Sequence, residues 1–301
     1  MTEEDLLATR FEAERPRLRA LAFRMLGSLS EADDAVQESW LRLSRSGAGG
    51  VENLGAWLTT IVARVCLNML RARHSRREDP LPDHLSATRV GHEAGTDPEH
   101  EAVLADSVGI ALLVVLQTLT PAERIAFVLH DTFAMPFDEI APLVGRTTAA
   151  TRQLASRARR RVRGTAAMPP ADLARHRDVV TAFLAASRHG DFDAMLAVLD
   201  PDIVFRIDRT AARGESTREL RGATNVARGA LAWSSGARFT QVALVNGAVG
   251  AILAPQGRLF GVGLFTIRDG RIIEMELVAD PDRLREFTLA MLPERDSAGH
   301  A

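Results

Sequence analysis

Residues 137–162 read FDEIAPLVGRTTAATRQLASRARRRV, and this stretch predicts two short helices joined by a tight turn. The first segment, Phe137 to Val144, has the apolar spacing of a helix. It is followed by Gly145, a residue type that tolerates the left-handed conformation of such a corner. A second helix begins after Thr147, which is a favourable N-cap. The stretch therefore predicts a helix-turn-helix, the arrangement with which many proteins contact DNA.

The second of these helices separates an inward stripe from a polar, cationic face. The inward stripe recurs at helical spacing and consists of Thr151, Leu154, Ala158 and Val162. The candidate DNA-contacting residues are the cap and the outward positions: Thr147, Thr148, Arg152, Gln153, Ser156, Arg157 and Arg160. The earlier outward positions suit base edges, and the later arginines suit phosphates. A solvated arginine-rich helix end is the alternative interpretation.

Length, charge and composition bound the rest of the chain. With 301 residues it is long enough for two or three domains, and its net charge of -2 argues weakly against a general nucleic-acid coat. The single cysteine, Cys66, excludes an internal disulfide. No apolar run is long enough for a membrane span, and the acidic N-terminus lacks a signal-peptide core, so we expect a cytoplasmic protein.

Charge is distributed unevenly, and this distribution suggests the domain boundaries. The stretches from Arg64 to Arg77 and from Arg146 to Arg163 carry many arginines and no acid. Between them, residues 78–101 are acidic and contain three prolines, which is typical of a linker. We therefore predict helical domains over 1–77 and 102–163, linkers over 78–101 and 164–170, and a third domain over 171–301.

The first domain reads as a small helical bundle. Ser30 is a candidate N-cap for a helix whose core-facing side leaves four polar residues exposed: Asp33, Asp34, Gln37 and Glu38. A further helix, from Leu54 to about Arg73, places Arg64, Asn68 and Arg71 at near-helical spacing on its outward side. Arginine and asparagine at this spacing suit phosphate and base contacts. Solubilising charge on a bundle surface is the alternative.

The third domain combines helices with a run of strands. Two amphipathic helices precede a strand at Ile203–Ile207, and a further helix is predicted at Ala223–Trp233. Four strand-like segments follow: Arg238–Val245, Ala248–Leu253, Arg258–Ile267 and Ile272–Val278. Asn-Gly and Asp-Gly pairs stand between them at hairpin spacing. The pattern predicts an α+β cone with a curved antiparallel sheet and an apolar internal pocket.

Three stretches resemble the two domains of extracytoplasmic-function sigma factors: RLRALAFRMLGSLSEADDAVQESWLRL (Arg17 to Leu43), GAWLTTIVARVCLNMLRARHSRRE (Gly55 to Glu78) and the segment from Leu119 to Val162. The resemblance implies that the face with Asp33, Asp34, Gln37 and Glu38 binds the beta-prime clamp of core RNA polymerase. It also implies that Arg64, Asn68, Arg71 and Arg73 contact the minus-ten promoter element. The Thr147 to Arg161 helix would contact the minus-thirty-five element.

The third domain resembles the SnoaL-like domains of the nuclear-transport-factor-two-like superfold, and sigma factors with this extension form a subgroup. Three subgroup motifs correspond unevenly to this chain: Leu81-Pro82 in the linker, Asp208, and Asp280-Pro281-Asp282. The resemblance implies that these residues make the regulatory contact through which the extension replaces a separate anti-sigma protein. An ordinary helix N-terminus is the alternative at Asp280-Pro281-Asp282, and both can hold together.

Three functional hypotheses follow. The first is a promoter-specific transcription initiation factor without catalysis, cofactor or metal, regulated by its fused domain. In the second, a small-molecule ligand in the C-terminal pocket makes the same factor a sensor. The third is an enzyme tethered to a DNA-binding module, because the SnoaL-like fold also hosts enzymes. Against the third, no metal-ligand spacing and no His–Asp pairing is visible in the sequence.

Overall fold

The computed structural model describes residues 3–46, 53–75, 109–208, 218–232 and 234–293. The chain forms two compact units. The helical unit comprises residues 1–83 and 116–161, and the C-terminal unit comprises residues 84–115 and 162–301. The domain boundaries proposed from the sequence stay a prediction. Within the described residues, no helix is both long enough and apolar enough to cross a membrane.

The described residues up to Arg163 form seven helices: α1 (Glu3–Leu26), α2 (Leu29–Ser46), α3 (Leu54–Ser75), α4 (Ile110–Gln117), α5 (Pro121–Phe127), α6 (Phe137–Val144) and α7 (Thr148–Arg163). A π-helical turn, Val128–Thr132, follows α5. The border between the two units falls within α4. Helices α1, α2 and α3 pack together around a core that includes Leu18, Met25, Leu43 and Leu58.

Local chemistry explains several of the helix ends. Gly27 ends α1 with a φ of 76°, a conformation that a glycine adopts without a steric penalty. The side chain that caps α2 belongs to Ser28, whose Oγ accepts from the Glu31 N–H at 3.4 Å. The prediction of Ser30 as this cap was wrong, because the helix already begins at Leu29. At α5, Thr120 and Glu123 form a reciprocal capping box.

The C-terminal unit places helices against one seven-stranded sheet. Its helices are α8 (Pro170–His189), α9 (Phe192–Val198), α10 (Ala223–Ala232), the single turn α11 (Ser234–Ala237) and α12 (Pro281–Glu286). Its strands are β1 (Leu199–Ile207), β2 (Arg218–Arg221), β3 (Thr240–Val245), β4 (Ala248–Leu253), β5 (Gly261–Arg268), β6 (Arg271–Val278) and β7 (Leu289–Ala290). The strand order is β2-β1-β6-β5-β4-β3-β7.

The predicted architecture of helical domains followed by an α+β domain is confirmed, with one correction to the sheet. Strands β3 to β6 form the expected antiparallel meander. Strand β1, however, pairs parallel with β6, so the sheet is mixed rather than wholly antiparallel. Strand β6, the last strand of the meander, lies beside β1, which precedes the meander in the chain. No local sequence pattern indicates a pairing between segments so far apart in the chain.

Two hairpin turns follow directly from their sequences. Asn246 and Gly247 have φ values of 51° and 80°, and Asp269 and Gly270 have φ values of 51° and 74°. Positive φ at both central positions is what a type I′ hairpin turn requires. The connection between β4 and β5 differs from the prediction. A 3₁₀ turn occupies Pro255–Gly257, and β5 begins at Gly261 rather than at Arg258.

Candidate nucleic-acid interface

Helix α7 has the two faces that its sequence predicts. Gly145 adopts the left-handed conformation with a φ of 69°, and the Ala150 N–H donates to Oγ1 of Thr147 at 3.2 Å. The four residues of the inward stripe are all buried: Thr151, Leu154, Ala158 and Val162. The outward residues Arg152, Gln153, Ser156, Arg157 and Arg160 are all exposed.

The arginines of α7 divide into paired and unpaired residues. Arg157 and Arg161 each lie 3.3 Å from a carboxylate oxygen of Glu123, and Arg159 lies 2.5 Å from Asp131. Arg160 forms no ion pair with any described residue. The Arg152 guanidinium forms none either, but lies over the Phe137 ring at 5.9 Å from its centroid. The unpaired guanidinium of Arg160 is therefore available to an external anion without losing an internal partner.

Glu123 is the carboxylate that pairs with two arginines of this cationic surface. Its role was not predicted from the sequence. Its side chain is only 7% exposed, accepts from Oγ1 of Thr120 at 2.9 Å, and faces both Arg157 and Arg161. The Thr-Pro-Ala-Glu run before α5 was the available signal, since it has the capping-box spacing. One buried carboxylate thus caps α5 and holds two arginines of α7.

Helix α3 presents a second polar row. Arg64, Asn68 and Arg71 are exposed along one side of the helix. The fourth candidate on α3, Arg73, is only half-exposed and turns towards the bundle. Its guanidinium pairs with Glu31 and donates to the Leu26 carbonyl at 3.4 Å. The structure therefore brings three of the four candidates onto one face.

The acidic face of α2 is in place, with two of its residues already in ion pairs. Asp33 receives two hydrogen bonds from the Arg19 guanidinium, at 2.6 and 3.0 Å, and Glu38 receives one from Arg42 at 2.9 Å. Asp34 and Gln37 are exposed. Surface ion pairs of this kind contribute about 1 kcal/mol or less, so a protein partner can displace them at small cost.

Arg124 is a buried arginine whose partners the sequence did not indicate. Its Nη1 donates to the Met25 carbonyl at 2.8 Å, one of the last carbonyls of α1, while Arg73 bonds the next one, Leu26. These carbonyls lack helical partners, so the two arginines together cap the C-terminus of α1. Desolvation, with a smaller contribution from the charge of Arg73, lowers the pKa of Arg124 to about 10.

Four of the six candidate regulatory residues lie close together in the C-terminal unit. Asp208 is buried at the end of β1, and its Oδ2 accepts from the N–H groups of Ala279 and Asp280 at 2.6 and 2.8 Å. Asp280 in turn caps α12 by accepting from the Asp282 and Arg283 N–H groups, with Pro281 in the first turn. The other two candidates, Leu81 and Pro82, lie outside the described residues.

The C-terminal unit contains a partly open cavity of about 200 Å³ between α8, α10 and the sheet. The two glutamates near the cavity already form ion pairs: Glu276 pairs with Arg283 at 2.8 Å, and Glu274 pairs with Arg206. His189 is exposed and its Nδ1 lies 2.8 Å from the Ala185 carbonyl. Among the residues that the structure describes, no group of three His, Cys, Asp or Glu side chains has the arrangement of a metal site.

Family models match both helical segments. Residues 10–76 match sigma-70 region 2, and residues 110–162 match sigma-70 region 4. These ranges contain the acidic face of α2, the polar row of α3 and the helix-turn-helix of α6 and α7.

Whole-chain relatives extend this match beyond the two regions. The ECF RNA polymerase sigma factor SigJ of Mycobacterium tuberculosis is 38% identical, covering 95% of this chain and 94% of SigJ. The probable ECF RNA polymerase sigma factor SigI of the same organism is 34% identical, covering 94% of this chain and 97% of SigI. The crystal structure of SigJ aligns with 92% of this chain and 98% of its own, at 33% identity and a TM-score of 0.44. This chain belongs to the extracytoplasmic-function sigma factors of RNA polymerase.

Proposed function

We propose that α7 contacts the minus-thirty-five promoter element, that Arg64, Asn68 and Arg71 of α3 contact the minus-ten element, and that the acidic face of α2 binds the beta-prime clamp. The chain would do this in the cytoplasm and without catalysis. The observation that carries the proposal is the exposed face of α7, where Gln153 is exposed and Arg152 and Arg160 form no ion pair within the described residues. A cationic helix face of this kind suits both phosphate and base contacts.

The test is in vitro transcription with core polymerase on a set of promoters that differ in the minus-thirty-five element. Arg152→Ala and Gln153→Ala should weaken some promoters far more than others, because they remove base contacts. Arg160→Ala should weaken all promoters alike and should lower the salt dependence of DNA binding by about one phosphate contact. Arg175→Ala on α8 is the matched control, because this arginine is exposed and pairs, among the described residues, only with Asp172. Equal losses at every promoter for all three α7 variants would overturn the assignment of base contacts.

We further propose that the C-terminal unit modulates the activity by holding both ends of the region 4 segment. Two hydrogen bonds within that unit support this. The Ala111 N–H at the start of α4 donates to Oε1 of Gln241 at 2.8 Å, and the Met291 N–H donates to the Val162 carbonyl in α7 at 2.7 Å. A domain that fixes the two ends of a DNA-binding segment can restrain its position.

A matched pair of variants tests this modulation. Met291→Pro removes the N–H that bonds Val162, whereas Met291→Ala keeps it. Transcription should change with Met291→Pro combined with Gln241→Ala, and in the same direction with a chain truncated after Arg163. Met291→Ala should leave transcription unchanged. Identical transcription from the proline, alanine and truncated forms would show that the C-terminal unit does not modulate activity through these bonds.

A further inference from the structure

The cavity of the C-terminal unit has an apolar interior large enough for a small molecule. Its volume is about 200 Å³, compared with about 150 Å³ for an apolar protein cavity that holds benzene. Aromatic, leucine and methionine side chains form its walls, among them Phe183, Leu184, Phe205, Leu220, Phe265 and Met275. The space therefore matches the body of a ligand with roughly ten to twelve non-hydrogen atoms.

Apart from Arg218, which the cavity shares with a neighbouring depression, the polar side chains that line the cavity offer no free charge. Glu276 lines the cavity but pairs with Arg283 at 2.8 Å, and the Thr240 hydroxyl donates to the Gly236 carbonyl. The Ser187 hydroxyl also lines the cavity and has no hydrogen-bond partner among the described residues. Inside the cavity, a ligand would thus meet apolar surface and one unpaired hydroxyl.

A cationic depression adjoins this cavity. The two share Arg218, Leu220, Gly229 and Ala232 as lining residues, and the depression adds Arg221, Asn225 and Arg228. The carboxylate of Glu219 is taken by Arg206 and Arg221. Arg218 and Arg228 are both exposed and form no ion pair with any described residue. Two guanidinium groups without an ion pair among the described residues therefore lie beside an apolar cavity.

We propose that this cavity binds a small amphipathic carboxylate, with its apolar body among the aromatic side chains and its carboxylate at Arg218 and Arg228. A guanidinium forms strong, charge-assisted hydrogen bonds with a carboxylate, and an apolar cavity takes up an apolar body with little reorganisation. The inference deepens the proposed modulation by the C-terminal unit and rests on it for its regulatory consequence. Binding itself is independent of transcription.

The experiment is a calorimetric titration of the full chain with 1-naphthoate and with the uncharged 1-naphthamide, which has the same ring and size. We expect naphthoate to bind about tenfold or more tightly than the amide, because only the carboxylate forms an ion pair with the guanidinium groups. The double variant Arg218→Gln/Arg228→Gln should bring naphthoate down to the affinity of the amide. Arg175→Gln changes an exposed arginine that does not line the cavity, and it should leave both affinities unchanged.

A cavity-filling variant locates the site. Ala251 lines the cavity and is buried on β4, so Ala251→Leu should abolish binding of both compounds. Ala230→Leu, on the more open α10 wall, serves the same purpose if the first variant melts at a much lower temperature. Equal affinities of the two compounds for the native chain, or naphthoate binding that survives both cavity-filling variants, would overturn the proposal. So would the absence of binding by the folded native chain.

Transcription separates this inference from the proposed function. Promoter-specific transcripts without naphthoate binding would overturn the ligand site alone. Selective naphthoate binding by a chain that makes no transcripts with core polymerase would support the site and contradict the proposed function.

Discussion

The helical unit and the C-terminal unit differ in what their buried polar side chains bond. Among the described residues, the helical unit buries Ser39, Thr59, Glu123, Arg124 and Thr151, whereas the C-terminal unit buries Ser187 and Asp208. All five side chains of the helical unit form hydrogen bonds with backbone groups of helices. The bonded group lies either at a helix end or one turn earlier in the same helix. In the C-terminal unit, Asp208 bonds backbone and Ser187 faces a cavity.

The difference reflects how helices and sheets satisfy their backbone groups. Each helix leaves four N–H groups and four carbonyls without internal partners, and packing helices together buries some of them. Side chains such as Glu123 and Arg124 must then supply the missing bonds. A central strand satisfies its backbone through its neighbours, so the interior of the C-terminal unit needs few polar side chains and can remain an apolar cavity.

The strongest test of this comparison is Glu123→Ala. The change removes the capping box of α5 and the carboxylate that Arg157 and Arg161 share, so we expect the free energy of unfolding to fall by about 2 kcal/mol. Chemical denaturation followed by helical circular dichroism measures the effect. The control is Glu139→Ala in the first turn of α6, an exposed carboxylate. If both variants lost the same stability, the role given to the buried carboxylate would be wrong.

Alkaline titration tests the two buried ionisable groups of the helical unit. Burial raises the pKa of the Cys66 thiol to about 12, and desolvation lowers the pKa of Arg124 to about 10. The chain has no lysine and no tyrosine, so few other side chains titrate between pH 9 and about pH 11, below the range of ordinary arginines.

The two pKa shifts have opposite signs. From pH 9 to 10, Cys66 ionises only when unfolded, so the free energy of unfolding should fall by about 1 kcal/mol. Above pH 10, Arg124 loses its proton only in the folded chain, which raises the free energy of unfolding. This rise offsets the fall caused by the thiol, so the free energy of unfolding should become nearly constant with pH. In Cys66→Ala the initial fall should vanish, and in Arg124→Met the fall should continue towards pH 12. If the free energy of unfolding of the native chain stayed constant from pH 9 to 10, the raised pKa of Cys66 would be contradicted.

A smaller effect is expected at Asp208 in the C-terminal unit. Asp208→Asn keeps an acceptor for the Ala279 and Asp280 N–H groups but removes its charge, so the loss should be about 1 kcal/mol. Thermal unfolding of the C-terminal unit measures it. Asp202→Asn, an exposed aspartate on β1, is the control and should stay within a few tenths of a kcal/mol. A loss at Asp208 no larger than at Asp202 would show that the charge is not needed there.

The smallest effect is expected at Ser187. Because its hydroxyl has no partner among the described residues, Ser187→Ala should change the free energy of unfolding by less than about 0.5 kcal/mol. Ser39→Ala in the helical unit removes a buried bond to the Ala35 carbonyl, 2.7 Å long, and should cost more. If the two losses were equal, the contrast between the units would not hold at these positions.

Much of the candidate interface could be predicted from the sequence because it depends on residues a few positions apart. The stripe from Thr151 to Val162, the Gly145 corner and the Thr147 cap all follow from helical period and local backbone preference. Arg73 and Arg124 could not be assigned in this way. Arg73 bonds Glu31 and the Leu26 carbonyl, which are 42 and 47 positions away in the chain. Arg124 bonds the Met25 carbonyl, which is 99 positions away.

The sequence by itself determined the helix-turn-helix with the buried and exposed faces of α7, the hairpin turns at Asn246-Gly247 and Asp269-Gly270, and the order of helical segments before an α+β domain. These features depend on local periodicity, capping and φ preferences, which short stretches of residues encode. Only the tertiary structure decided the parallel pairing of β1 with β6, the capping of α1 by Arg73 and Arg124, and the cationic groups beside the cavity. Each of these joins distant segments, and no local preference specifies which distant groups meet when a chain packs.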